Sequence, residues 1–223
     1  MITYDHFLKE GVYDPNIFKA VFLAGGPGSG KSWVAGKTMG GLGLKVINSD
    51  DPFERYLKQE GLSLKMPDSE TVERDVVRAK AKRVTEKKKG HAVEGRLGLL
   101  IDGTGHEYDK VARRASSLRH IGYEPSMVFV NTSLEVALAR NEKRARSVKP
   151  ALAKKSWQDV QNNIGKFQNF FGPKYFFIVD NNGLEQDLMH LSAKHIRRAI
   201  QRPIKNIIAA AWITNELKKK ERT

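Results

Sequence analysis

No cysteine occurs among the 223 residues. That excludes a disulfide framework, thiolate chemistry and a cysteine-ligated metal, and it agrees with a reducing, cytoplasmic setting. Also lacking is any run near the roughly 18 apolar residues that a membrane-spanning helix needs, and residues 1–10 show no apolar core of the signal-peptide kind. The expectation is a cytoplasmic protein with no membrane partner. Acidic side chains are the third shortage: 25 Asp and Glu stand against 39 Lys and Arg, a formal charge of +14. Such an excess favours a polyanionic partner, because basic side chains displace the counterions condensed along a phosphate backbone. A generally basic surface also serves solubility, so charge alone does not establish nucleic acid as the partner.

What is present fits one α/β domain with a real core and room for a small lid, but not two large domains. Five short apolar segments read as strands, at 20–24, 45–48, 97–101, 127–130 and 175–179. Helical patterns separate them: 68–89, with Val72, Val76 and Ala79 recurring at helical spacing; a segment from Asp109, with Val111, Ala115 and Leu118 on one face; and one capped by Thr132 or Ser133. Trp157, Val160, Ile164, Phe167 and Phe171 repeat at 3, 4, 3 and 4 residues, the spacing of a buried helix face, with base stacking as the alternative. Strands alternating with helices predict right-handed crossovers and a mostly parallel five-stranded sheet in a three-layer sandwich. The last segment, 184–223, reads as helical, either covering the core or offered to a partner.

The most specific pattern is Gly25-Gly26-Pro27-Gly28-Ser29-Gly30-Lys31-Ser32, which satisfies G-x-x-x-x-G-K-[ST] between an apolar strand and a helix. Glycines allow successive N–H groups to turn inward around a phosphate, and the following helix adds its N-terminal dipole. Lys31 is expected to reach the β- and γ-phosphates of ATP, and the Ser32 hydroxyl to bind Mg²⁺. In an open α/β sheet, ligand chemistry belongs at the carboxyl ends of the strands. Asp50 and Asp51 end the second strand, as acceptor-orienting base and its alternative, or as helix caps before Pro52. Asp102 ends the third, as a second Mg²⁺ ligand. Thr104, His106 and Arg55 are near enough in sequence to contact an acceptor.

Arg140, Arg144 and Arg146 follow the fourth strand. Arg140 and Arg144 are four apart and predicted to share one helical face. Planar guanidinium forks match the equatorial oxygens of a transferring phosphoryl group, so 140–156 reads as an arginine-rich lid that also excludes water. A second basic block, Arg74 to Lys89, reads as a docked helix whose outer face meets either nucleic acid or solvent.

These motifs, in this order over roughly residues 18 to 180, resemble the P-loop kinases of the nucleotide-kinase-like group. The likeness is greatest to polynucleotide 5′-hydroxyl kinases and to zeta-toxin-like kinases, often encoded by phages. The resemblance implies a P-loop kinase-like fold, residues 1–223 as one kinase domain, and ATP with Mg²⁺ as cofactors. It also implies Asp50 as the group acting on the acceptor hydroxyl. Polynucleotide kinases carry an Arg three residues after that Asp; here the position is Phe53 and the nearest Arg is Arg55. Some phage relatives phosphorylate 5-hydroxymethyluracil within DNA, which suits the charge and the altered acceptor motif. DNA is therefore the favoured partner, in a host cytoplasm if the chain is phage-encoded. A sugar-nucleotide or small-nucleotide kinase, or a nucleic-acid-stimulated NTPase module, are the alternatives; the oligomeric state stays open.

Overall fold

The central strand β1, Lys19–Ala24, is buried along its whole length, as an apolar run covered on both faces must be. Around it lie β2 (Lys45–Ile47), β3 (Leu99–Asp102), β4 (Glu124–Asn131) and β5 (Phe176–Asp180). All pair in parallel, in the order β2-β3-β1-β4-β5. The computed structural model describes residues 11–38, 42–144, 146–183 and 185–221; residues 1–10, Ala145 of the arginine-rich segment and the side chain of Leu188 in the last segment lie outside the described residues. The sheet is wholly parallel, and β4 begins three residues before the apolar run. Its first residue, Glu124, is charged but ion-paired to Lys19 at 2.6 Å, with both side chains nearly buried. A satisfied pair of this kind lets a charged residue open an inner strand.

The described helices are α1 (Lys31–Thr38), α2 (Asp50–Gln59), α3 (Thr71–Glu94), α4 (Tyr108–His120), α5 (Leu134–Glu142), α6 (Pro150–Phe171), α7 (Glu185–Ile200) and α8 (Ile207–Lys220). They cover the sheet on both sides. Val34 of α1 and Ile196, Ala199 and Ile200 of α7 pack on the Val21, Leu23 and Val128 face. Ala115 and Leu118 of α4, Val160, Phe167 and Phe171 of α6, and Ala209 of α8 pack on the Phe22, Ile101 and Phe129 face. The aromatic stripe of α6 is thus a core face. Ser133 caps α5, its hydroxyl accepting from the Val136 N–H.

In α3 the expected inner face is displaced. Val72 and Val76 are 75% and 67% exposed, and the buried positions are Val77, Ala81, Thr85 and Ala92. Spacing of three to four fits either stripe, and the choice falls to a separate small core in which Val77 and Ala81 meet Phe53 and Leu57 of α2. Thr85 can be buried because its hydroxyl donates to the carbonyl of Ala81 at 2.9 Å. The α2–α3 pair so formed is a plate beside the carboxyl ends of β2 and β3.

Candidate active site

Chain order places β1 at the point where the sheet's winding reverses, so the loop after it opens into the crevice above the strands. Gly25, Gly28 and Gly30 have φ of +148°, +77° and +94°. At Gly28 a Cβ would stand 2.1 Å from the Ala137 carbonyl oxygen, so positive φ and close approach both demand glycine. Gly28→Ala should therefore lower stability by ~1–3 kcal/mol and weaken nucleotide binding together, read by thermal melting and nucleotide titration. Three contacts brace the loop from outside. Asn181 Nδ2 donates to the Ser29 carbonyl at 2.7 Å, Thr104 O accepts from the Gly25 N–H at 3.0 Å, and Trp157 lies against Gly26 with its Nε1 donating to Thr132 O at 2.9 Å. Asn181 and Trp157 are functional candidates that sequence reading missed. Their only signals were a turn sequence at a strand end and the end of an apolar stripe.

Lys31 and Ser32 open α1 at the loop's end. Lys31 Nζ donates back to the carbonyls of Gly25 and Gly26 and to Ser29 Oγ. Burial pulls its ammonium down to about 8; Asp102 opposes that shift and Arg144 adds to it. Ser32 is exposed. Asp102, at the end of β3, is pushed up to about 6 by burial, against the pull of Lys31, with Asp50 and Asp51 adding to the rise. One of its oxygens accepts from Asn48 Nδ2 at 3.1 Å; the other, Oδ1, is buried with no hydrogen-bond partner among the described residues. Asn48 Oδ1 in turn accepts from the Asp50 N–H at 2.7 Å, so a single side chain ties the ends of β2 and β3 together.

Asp50 and Asp51 occupy the first turn of α2, after Ser49 at the N-cap. Asp50 Oδ2 is 3.0 Å from an Arg146 NH, in a pair whose side chains are 46% and 15% exposed. Asp51 is exposed, and so is Arg55, which stacks on Tyr56 at 5.3 Å. Thr104 Oγ1 and His106 Nδ1 share a hydrogen bond, and Asn163 Nδ2 holds the carbonyls of Gly105 and His106 at 3.1 and 2.9 Å.

Arg140 and Arg144 do not share a helical face, since α5 ends at Glu142, before Arg144. Arg140 donates to the Asn181 carbonyl at 2.9 Å, toward the end of β5. Arg144 lies within Coulombic reach of Lys31 and Asp102, and Arg146 bonds Asp50. Lys149, at the start of α6, reaches Asp68 before α3 with both distances 3.0 Å. Arg78 of α3 was not expected here: its guanidinium stacks at 3.8 Å on the ring of Phe53, and that ring also carries Arg146 at 5.7 Å.

The crevice thus gathers a phosphate-cradling loop, a lysine, two strand-end carboxylates and guanidinium groups, the parts phosphoryl transfer requires. A family model described as Zeta toxin matches residues 10–188. No curated protein matches the chain by sequence. Among solved structures, the chain is similar to a putative kinase from Chloroflexus aurantiacus J-10-fl, at 18% identity and a TM-score of 0.59, covering 82% of this chain and 98% of that one. It is also similar to the PezAT chromosomal toxin-antitoxin system of Streptococcus pneumoniae, at 16% identity and 0.53, covering 90% and 86%. A gluconokinase from Sinorhizobium meliloti 1021 follows at 13% identity and 0.51, covering 92% and 98%. At these identities the structural likeness establishes a shared P-loop kinase-like α/β fold, while the family match spans most of the chain. The chain belongs to the Zeta toxin family, and it is a P-loop kinase.

Proposed function

We propose that the chain transfers the γ-phosphoryl group of ATP to a hydroxyl on DNA, on a hydroxymethylated base or at a 5′ end. The observation that carries this reading is the Asp50–Arg146 pair at 3.0 Å, on the acceptor side of a crevice whose other side is Lys31 and its loop. The loop N–H groups hold the β-phosphate, and Lys31 exchanges its bonds to Gly25, Gly26 and Ser29 for the β- and γ-oxygens. Asp50 takes the acceptor proton as the hydroxyl oxygen bonds to the γ-phosphorus and the bond to the β-bridging oxygen breaks, leaving ADP. Arg144 and Arg146 face the charge that spreads over the equatorial oxygens, and Arg140 holds the rim near Asn181.

Mg²⁺ suits the donor set. The partnerless buried oxygen of Asp102 and the Ser32 hydroxyl at the start of α1 are hard oxygen ligands, and few protein ligands are needed where phosphates supply others. When bound there it would neutralise phosphate charge.

Residues 1–223 act as one kinase domain in this reading, with 184–223 as a C-terminal helical segment and 140–156 as a lid. Lid closure over the α2–α3 plate is supported by two ion pairs, Arg146–Asp50 and Lys149–Asp68. DNA is favoured by the +14 charge and by Lys80, Lys82, Arg83, Lys87 and Lys88, all exposed on α3. The Zeta toxin match supports a second reading, transfer to a sugar nucleotide or small nucleotide.

Incubation with γ-labelled ATP and 5′-hydroxyl DNA, hydroxymethyluracil DNA, RNA, nucleotides and sugar nucleotides separates the readings. The expected result is labelled DNA with one ADP per phosphate transferred. Label on a sugar nucleotide or nucleotide alone selects the second reading, and DNA-stimulated hydrolysis with no labelled acceptor sinks both.

A further inference from the structure

Phe53 stands where the polynucleotide kinases carry an arginine, and its ring is fully buried. Two guanidinium groups use that ring as a platform, Arg78 at 3.8 Å and Arg146 at 5.7 Å. Of these two, Arg146 is the one bonded to Asp50 among the described residues. No hydrogen bond is made by the Arg78 N–H groups among the described residues; its fixed neighbours are the ring and the charges of Asp50, Arg146, Asp75 and Arg74. Arg74 is turned elsewhere, donating to the Pro67 carbonyl and to Thr71 Oγ1. Three arginines therefore meet two carboxylates, and the positive charge in excess sits on a planar fork whose donors make no hydrogen bond among the described residues.

A guanidinium stacked on an aromatic ring keeps its edge donors directed outward in the ring plane, the geometry that reads a phosphate with two parallel N–H bonds. The plate beneath is rigid, because Phe53 and Leu57 interlock with Val77 and Ala81, the residues flanking Arg78 on α3. Burial lowers the Arg78 pKa, yet an arginine stays charged throughout the physiological range.

We propose that Arg78 is a specificity-determining residue: with Arg146 it binds a phosphate of the acceptor next to the hydroxyl that Asp50 faces. The arginine absent at Phe53 is thereby supplied from α3, across the ring that replaced it. This rests on the kinase reading above and narrows its acceptor to a hydroxyl compound bearing a phosphate ester, either a nucleic-acid phosphodiester or the phosphate of a soluble nucleotide.

The test is equilibrium titration of the full chain, loaded with a non-hydrolysable ATP analogue and Mg²⁺, by thymidine, thymidine 3′-monophosphate and a 5′-hydroxyl octathymidylate. Wild type should bind the two phosphate-bearing probes and bind thymidine at least tenfold more weakly. Arg78→Gln should lose about 10–100-fold for both phosphate probes while its affinity for the ATP analogue stays within twofold. Arg78→Lys, which keeps the charge but not the fork, should fall between, and it carries the test if the Gln variant does not fold. A preference for octathymidylate over the monophosphate assigns the phosphodiester source; equal or reversed preference assigns the soluble one. Thymidine binding as tightly as its 3′-phosphate, or variants that bind phosphate probes like wild type, overturns the assignment. Because no turnover is involved, a protein that binds through Arg78 but only hydrolyses ATP would sink the proposed function and spare this inference. Transfer to DNA that Arg78→Gln leaves unchanged, in rate and in acceptor affinity, would do the reverse.

Discussion

Asp50→Asn should bind ATP with wild-type affinity and transfer the phosphoryl group about 10²–10⁴-fold more slowly, the range expected when a positioned general base is removed. The substitution keeps shape and hydrogen-bonding reach, so the Arg146 contact at 3.0 Å weakens to a neutral bond without being abolished. The backbone of residue 50 stays fixed by Asn48, whose Oδ1 accepts its N–H, so α2 should start where it does now. What disappears is the negative charge that draws in the acceptor proton. Asp51→Asn, altering an exposed side chain one residue on, is the control and should cost under tenfold. Single-turnover transfer from labelled ATP to the acceptor found in the panel gives the comparison. A near-normal rate for Asp50→Asn with a collapse for Asp51→Asn would move the base by one residue; near-normal rates for both would remove it from this turn.

Much of this site is legible from local sequence, for a physical reason. The Gly25–Ser32 loop is recognised by its own glycines between an apolar strand and a helix, and nothing distant is needed to define it. Asp50 and Asp102 were readable because one follows a strand closely and the other ends one, and a parallel sheet brings all such ends to one edge. The arginines were less readable because their roles depend on where helices stop. No glycine or proline marks the end of α5. Asn141 ends it instead, buried and bonded through both side-chain atoms to the backbone of Val148 at 2.7 and 3.0 Å. That clamp turns the chain after Glu142, separates Arg140 from Arg144, and carries Arg146 to Asp50. Arg78 was hidden by a different ambiguity. It lies in a basic block whose spacing fits several faces, and only the fit of Val77 and Ala81 against Phe53 and Leu57 turns it inward. Phe53 itself looked like a missing arginine, whereas the structure makes it the support for one.

Lys31→Met should cost at least 10²–10³-fold in kcat/KM, the loss seen when one preorganised donor to a developing charge is taken away. The same change should raise the stability of the nucleotide-free protein by ~1–2 kcal/mol, read as roughly 2–8 °C in Tm. The two effects have one cause. In the empty loop the Lys31 ammonium is enclosed and spends its donors on the Gly25 and Gly26 carbonyls and on Ser29, with burial holding its pKa at about 8 instead of 10.5. Between those two values the unfolded chain binds a proton that the folded chain has released. Stability contributed by this residue is therefore lowest below about pH 8 and rises as pH climbs toward 10.5. Methionine removes that dependence along with the penalty. Nucleotide capture runs the other way, since only the charged amine meets phosphate. Wild-type kcat/KM should thus fall as pH rises through about 8, while the residual activity of Lys31→Met, measured over the same buffers, should show no limb there. A variant that loses activity, melts at the wild-type temperature and keeps the alkaline limb would mean that another group titrates and that Lys31 is not enclosed in the free protein. A variant that melts higher and loses the limb identifies the strain in the empty loop as what nucleotide binding relieves.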